Sequence, residues 1–310
     1  MTPVQLIHTR ERQKQLAELP AVDAQFKLVG MWLHGKSDIT INRYRYYSTT
    51  FLAHLAGVGK TLLTCTAEDL WEFAQWLGES GKAQSTQKTY LAAIKSLLSF
   101  AHKIGYTRFN VGAAMKLKKT ADALHERLLS ETDVALMVRL TEKADYRYKG
   151  DKQRDVLILK LLYTAGLRVS ELVGLTWGDV AQRGERGQIT VKGKGDKTRS
   201  ILLPKHIWDE LMTFQGNSSG DVPIFRSRKG GKALHRQNVD PIVKAAGSRA
   251  GLSDKVSAHW LRHAHATHAL ESNANVGLVQ RTMGHDNVST TSRYLHARPD
   301  ESSALYVAAV

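Results

Sequence analysis

Cysteine is nearly absent from this chain. Its one thiol, Cys65, can close no disulfide within the chain and can found no cysteine-based zinc site, which fits a reducing compartment. Also missing is any apolar run near the ~18 residues that a spanning helix takes, and the start lacks the charged, apolar and small-residue layout of a secretory signal. The expectation is a cytoplasmic protein with no membrane partner. No internal repeat is found. Acidic residues are the third shortage: 29 Asp and Glu stand against 44 Lys and Arg, a formal charge of +15. Such a surplus asks for a polyanion, and nucleic acid is the one that fits. What is present in quantity is hydrophobic residues, 42% of 310, enough for two domains with cores of their own.

Residues 1–20 are polar and mixed in charge, and read as a tail. From Ala21 to Gly112 the pattern is helical, and four helices fit. Their start signals are Asp38, the capping-box pair Thr66 and Asp69, and Ser85. In the last of them Leu91, Ile94, Leu97, Leu98, Ala101 and Ile104 form an inward stripe, which leaves Lys88 and Lys95 for solvent or phosphate. Arg43 sits among tyrosines in a turn that suits contact with a DNA backbone. Residues 113–127 lose periodicity and concentrate Lys116, Lys118 and Lys119, which describes a basic linker able to close two domains around a duplex. Ser130 with Asp133 then opens a second domain, 128–310.

Within that domain an apolar helix from Gln153 to Ala165 ends at Gly166, and Arg168 and Glu171 follow at a spacing that shares a helix face. QITVK and RSILLP alternate around GKGDKT and form a β-hairpin whose tip carries Lys192, Lys194 and Lys197, with Arg199 just beyond. Later, if Ser257 caps a helix, His259, Arg262 and His263 fall within roughly 100° of one another, while His265 and His268 point elsewhere. Met283-Gly284-His285 closes a further helical stretch, and Tyr294 comes nine residues after His285.

H-x-x-R-H, then G-H, then a tyrosine nine residues on, resembles the C-terminal signature of the tyrosine recombinase, or phage integrase, family. TAGLRVSELVGLTW resembles the segment that carries that family's first catalytic arginine and its accompanying acid, and VKGKGDKTRSILLP resembles the hairpin that carries its lysine. The resemblance covers roughly Ala21 to Leu295. It implies a mainly α fold with a small β-sheet: an N-terminal helical, SAM-like core-binding bundle followed by a catalytic domain. It implies site-specific cleavage and rejoining of DNA through a 3′-phosphotyrosine. Tyr294 would be the nucleophile, Lys194 would protonate the departing 5′-oxygen, and Arg168 and Arg262 would hold the phosphate. His259 and His285 would add hydrogen bonds, and Glu171 would orient the cations. Lys192, Lys197 and Arg199, with Arg43, Lys88, Lys95, Lys116, Lys118 and Lys119, are expected to touch DNA.

Neither cofactor nor metal is implied, because arginines occupy the role metal ions would take. The partners implied are double-stranded recombination sites and sister subunits, in a homotetramer or a heterotetramer with a related recombinase. A terminal segment after Pro299 would insert into the neighbouring subunit. The short stretch ahead of the bundle favours a simple Xer-like or Cre-like enzyme. Three other readings stand beside this one: a type IB topoisomerase that relaxes single duplexes, a DNA-binding regulator on the same fold, and a metal hydrolase built on His259 and His263.

Overall fold

The computed structural model describes residues 20–117, 128–193, 198–228 and 230–284. The chain divides into two compact units, Met1–Ala121 and Asp122–Val310.

The first unit is helical: α1 (Pro20–Leu33), α2 (Asp38–Gly57), α3 (Ala67–Glu79) and α4 (Gln84–Lys103), followed by a 3-10 turn at Val111–Ala114. The helices begin close to where the sequence signals stand. Thr66 and Asp69 make the capping box at α3, with the Thr66 N–H donating to Asp69 Oδ2 at 2.7 Å. The caps of α2 and α4 are Ser37 and Ala83, one or two residues ahead of Asp38 and Ser85.

The core gathers Trp32, Tyr47, Phe51, Phe73 and Tyr90 with the aliphatic residues of α4. The buried stripe of α4 is Tyr90, Ala93, Ile94, Leu97, Leu98 and Ala101. Ile104, expected in it, is 43% exposed, because the helix ends at Lys103 and releases the residue from the face. Met115 is buried in this same core. The first residues of the segment read as a linker are thus packed here, and the Lys95 ammonium donates to the Met115 carbonyl.

The second unit opens with α5 (Glu131–Lys143), capped by Ser130 and Asp133 as their spacing predicts. The apolar α6 (Lys149–Thr164) and the short α7 (Val169–Gly174) follow. An antiparallel sheet of β1 (Val180–Arg183), β2 (Arg186–Lys192) and β3 (Thr198–Leu203) has order β1-β2-β3. The β2–β3 pair, with Ile189 opposite Ile201, is the expected hairpin. Strand β1, VAQR, escapes a reading by alternation because three of its four residues are exposed.

Helices α8 (Lys205–Gln215), α9 (Val239–Arg249), α10 (Ala258–Glu271) and α11 (Val276–Met283) are the remaining α-helices of the unit among the described residues. Its core runs from α6 through α10 to the inner face of the sheet. No helix among the described residues is long and apolar enough to cross a membrane.

Candidate active site

The site starts from a chain reversal. Helix α6 buries Val156 to Leu159 and Leu161 to Leu162, and ends at Thr164 with Ala165 as its cap. Gly166 follows at φ +57°, a left-handed conformation that glycine adopts without strain. A side chain here would also collide with a neighbour, since a Cβ would stand 2.6 Å from Cδ2 of His265. The buried Leu167 then anchors the strand-like step that leaves Arg168 as the residue capping α7.

Glu171, three residues on, turns back to accept the Arg168 backbone N–H at 2.8 Å. It performs the acidic half of a capping box. What distinguishes this cap is the number of cations around the carboxylate. Arg168 Nη1 donates to Oε1 at 2.8 Å, and Arg199 donates from Nη1 to Oε1 at 2.9 Å and from Nη2 to Oε2 at 2.8 Å. Arg262 Nη1 lies 3.9 Å from Oε2.

The same three guanidiniums meet the end of α11. A helix leaves its last carbonyls without partners of its own, and here three successive ones are each taken by a different arginine. Arg199 Nε donates to Thr282 O at 2.7 Å, Arg262 Nη2 to Met283 O at 2.6 Å, and Arg168 Nη2 to Gly284 O at 2.9 Å. Cations belong at this negative end of the helix dipole. Gly284 ends the helix in the left-handed region, φ 63° and ψ 50°. A Cβ on it would lie 2.9 Å from Arg199 Nη1, so this glycine is required both by the turn and by the guanidinium lying against it. Arg262 further donates to the Gly166 carbonyl, which closes the ring back to the start of the site.

Three guanidiniums around one carboxylate leave a local excess of two positive charges, an environment that favours an incoming anion. Burial by itself would push the Glu171 carboxyl up. Hydrogen bonds from Arg199 and from the Arg168 backbone N–H, with the Arg199 charge, outweigh burial and hold the carboxyl below its ordinary value. Exposure separates the three cations: the side chain of Arg168 is 42% exposed, against 13% for Arg199 and 3% for Arg262.

On α10 the His259 and His263 rings meet edge to face, 4.1 Å between centroids, with His259 exposed and His263 buried. No group of three or more metal-ligating side chains forms among the described residues. His268 pairs through Nδ1 with the Tyr163 hydroxyl at 2.9 Å. Burial, aided by the Arg262 charge, pushes the His265 imidazole down to about 4, so it is neutral against Gly166 at ordinary pH.

Of the residues singled out in the sequence, Arg168, Glu171 and Arg262 are thus brought together. Lys194, Lys197, His285 and Tyr294 lie outside the described residues, as do Lys118, Lys119 and the segment after Pro299. Lys192 is exposed at the end of β2. Arg199, expected just beyond the hairpin tip as a DNA contact, turns its side chain inward to Glu171. Along β3 it alternates onto the face of Ile201 and Leu203, which are buried, while Ser200 and Leu202 face out. That alternation was the available signal for its placement. In the first unit Arg43 and Lys116 are exposed and Lys88 and Lys95 half-buried, and Lys95 is committed to Met115.

A family model described as "Phage integrase family" matches residues 128–301, and one described as "Phage integrase, N-terminal SAM-like domain" matches residues 31–105. Among curated proteins, the tyrosine recombinase XerC of Corynebacterium efficiens is 34% identical over 274 residues, 84% of this chain and 82% of that one. The tyrosine recombinase XerA of Pyrococcus furiosus is 32% identical over 266 residues, 84% of this chain and 85% of the other. Among solved structures, a XerH site-specific recombinase bound to palindromic difH substrate in a post-cleavage complex superposes with a TM-score of 0.72. It is 23% identical, and the match covers 83% of this chain and 76% of that one.

Proposed function

This chain belongs to the phage integrase family of tyrosine recombinases, enzymes that cut and rejoin DNA, and we propose that it does so at specific sites through Tyr294 with the cations gathered around Glu171. The observation that carries the residue assignment is the set of three guanidiniums holding one carboxylate and the last three carbonyls before His285.

In-line attack on a phosphodiester spreads negative charge onto the non-bridging oxygens. Guanidinium forks meet that charge with parallel N–H donors and stay protonated at any working pH. Arg168 and Arg262 take this role. Glu171 keeps both forks oriented while neutralising only part of their charge. The Tyr294 phenol releases its proton to solvent as its oxygen bonds to phosphorus, and the 5′-oxygen leaves with a proton from Lys194. His259 and His285 hydrogen-bond the phosphate or the attacking oxygen. The 3′-phosphotyrosine conserves the energy of the broken bond, so a 5′-hydroxyl can reverse the step without ATP. The chemistry so described calls on no cofactor.

The substrate is double-stranded DNA carrying recombination sites, as in the XerH complex. The working form is a tetramer, of this chain alone or with a related recombinase, acting in the cytoplasm. Removing Ser302–Val310 then weakens assembly on paired sites and spares binding to single ones; unchanged tetramer yield in gel-shift assays rejects that segment's role.

The residue assignment is tested with nicked duplexes from a randomised pool. The wild-type chain forms a covalent adduct that survives denaturation, and Tyr294→Phe forms none. An adduct retained by Tyr294→Phe overturns it.

A further inference from the structure

We propose that Arg199 is a positioning residue of the cleavage reaction, fixing the Glu171 carboxylate and the end of α11 and through them the directions of the Arg168 and Arg262 guanidiniums. The inference rests on the function just proposed, and it gives Arg199 a part that a DNA contact would not explain.

Each of the three guanidinium nitrogens of Arg199 already donates within the protein. Nη1 and Nη2 grip the two oxygens of Glu171 side by side, and Nε reaches Thr282 O. The side chain is 13% exposed. A bidentate fork of this kind fixes the plane of the carboxylate as well as its position. That matters because Glu171 Oε1 is shared between Arg199 and Arg168, and Oε2 lies between Arg199, the Arg168 backbone N–H and Arg262. Turning the carboxylate would move the bonds of both other arginines.

Arg199 also lies against Gly284, the residue whose carbonyl Arg168 holds. It therefore touches both ends of the Arg168 guanidinium's anchorage without being the group that meets the phosphate. Its place on β3, opposite Val191 at the turn end of the β2–β3 hairpin, ties that hairpin to the same carboxylate. A lysine in this position could reach one oxygen but could not hold two oxygens and a carbonyl at once.

Among the described residues, the charged groups facing Glu171 are Arg168 from the start of α7, Arg262 from α10 and Arg199 from β3. Taking away Arg199 removes the largest of the contributions that hold the Glu171 carboxyl low and leaves those of Arg168, so the acid limb of the cleavage rate should move to higher pH.

The experiment uses full-length protein and nicked, fluorescent duplexes captured by the wild type from a randomised pool. Arg199→Met and Arg199→Lys are compared with wild type for affinity across a salt series and for the rate of adduct formation at saturating protein. Arg199→Met is expected to slow adduct formation by at least about tenfold. Affinity should stay within about threefold and the salt slope should not change, since no phosphate contact is lost. Arg199→Lys should restore part of the rate, and the acid limb should shift upward in Arg199→Met. In the double variant Glu171→Gln/Arg199→Met the loss should not exceed that of the more damaging single change, because the two act as a unit. A saturated rate equal to wild type overturns the proposal. So does weaker affinity with a salt slope reduced by about 1, which marks a phosphate contact instead, and so do losses that multiply in the double variant. Should Arg199→Met fail to fold, Arg199→Lys and the pH profile carry the same decision. A wild type that forms no adduct, or an adduct that persists in Tyr294→Phe, removes the proposed function and this inference with it; a working wild type beside unimpaired Arg199 variants removes this inference alone.

Discussion

Helices α3 and α7 begin in the same way and to different ends. At α3 the Asp69 carboxylate turns back to the Thr66 N–H and hydroxyl and receives one distant cation, Lys60, at 2.7 Å. At α7 the Glu171 carboxylate turns back to the Arg168 N–H and receives guanidiniums from the cap residue itself and from β3, with a third near by. The first arrangement satisfies a helix end and stops there, because its cap is a threonine and its cation an ammonium on an exposed stem. The second puts a guanidinium in the capping position and so turns a local folding signal into a cluster of excess positive charge. The lesson is that the carboxylate's backbone bond is common property, and the identity of the cap residue decides whether chemistry can be built on it.

The comparison breaks most visibly if the two carboxylates are neutralised in parallel. Glu171→Gln should cut the rate of covalent adduct formation by about 10² or more, since the two forks proposed to hold the phosphate lose their common anchor. It should also lower the stability of the second unit by about 3 kcal/mol, the typical cost of removing one partner from a buried ion pair. Single-turnover adduct assays and chemical denaturation read the two effects.

Acid separates the units next. His265, held down to about 4 by burial, binds its proton in the unfolded chain first. Its depressed value gives stability that is complete above its ordinary value near 6.5 and is lost as pH falls toward 4. The second unit should weaken by about 3 kcal/mol over that window, and His265→Gln should flatten the slope in melts recorded against pH. Gly166→Ala, which must accept a positive φ and displace the His265 ring, should lower stability by about 2 kcal/mol, readable in the same melts. Asp69→Asn should do least, about 1 kcal/mol from a weakened cap, with adduct formation at saturating DNA unchanged. A loss of cleavage rate in that variant would erase the distinction between the two caps.

Much of this was legible in the residues. The spacing of Arg168 with Glu171 is a relation at the start of one helix, and such relations survive folding because they are local. The capping pairs Thr66–Asp69 and Ser130–Asp133 were legible for the same reason. What stayed hidden was long-range. Nothing in KGKGDKTRSILL announces that Arg199 will meet a glutamate 28 residues earlier and a carbonyl 83 residues later; beside three lysines it reads as one more basic residue at a turn. The carbonyls of Thr282, Met283 and Gly284 carry no sequence signal at all, since every residue has one. Lys95 misled in a similar way, because its partner Met115 lies beyond the end of its own helix.

The three carbonyls at the end of α11 also act as a key with three teeth. Adding or deleting one residue inside Val276–Met283 would turn everything beyond it by about 100° and advance it by about 1.5 Å, leaving each guanidinium facing the wrong oxygen. Length changes elsewhere in the unit can be absorbed by loops, but this helix has no slack: its residue count is as much a part of the site as any side chain, and lineages of the chain should vary its letters far more freely than its length.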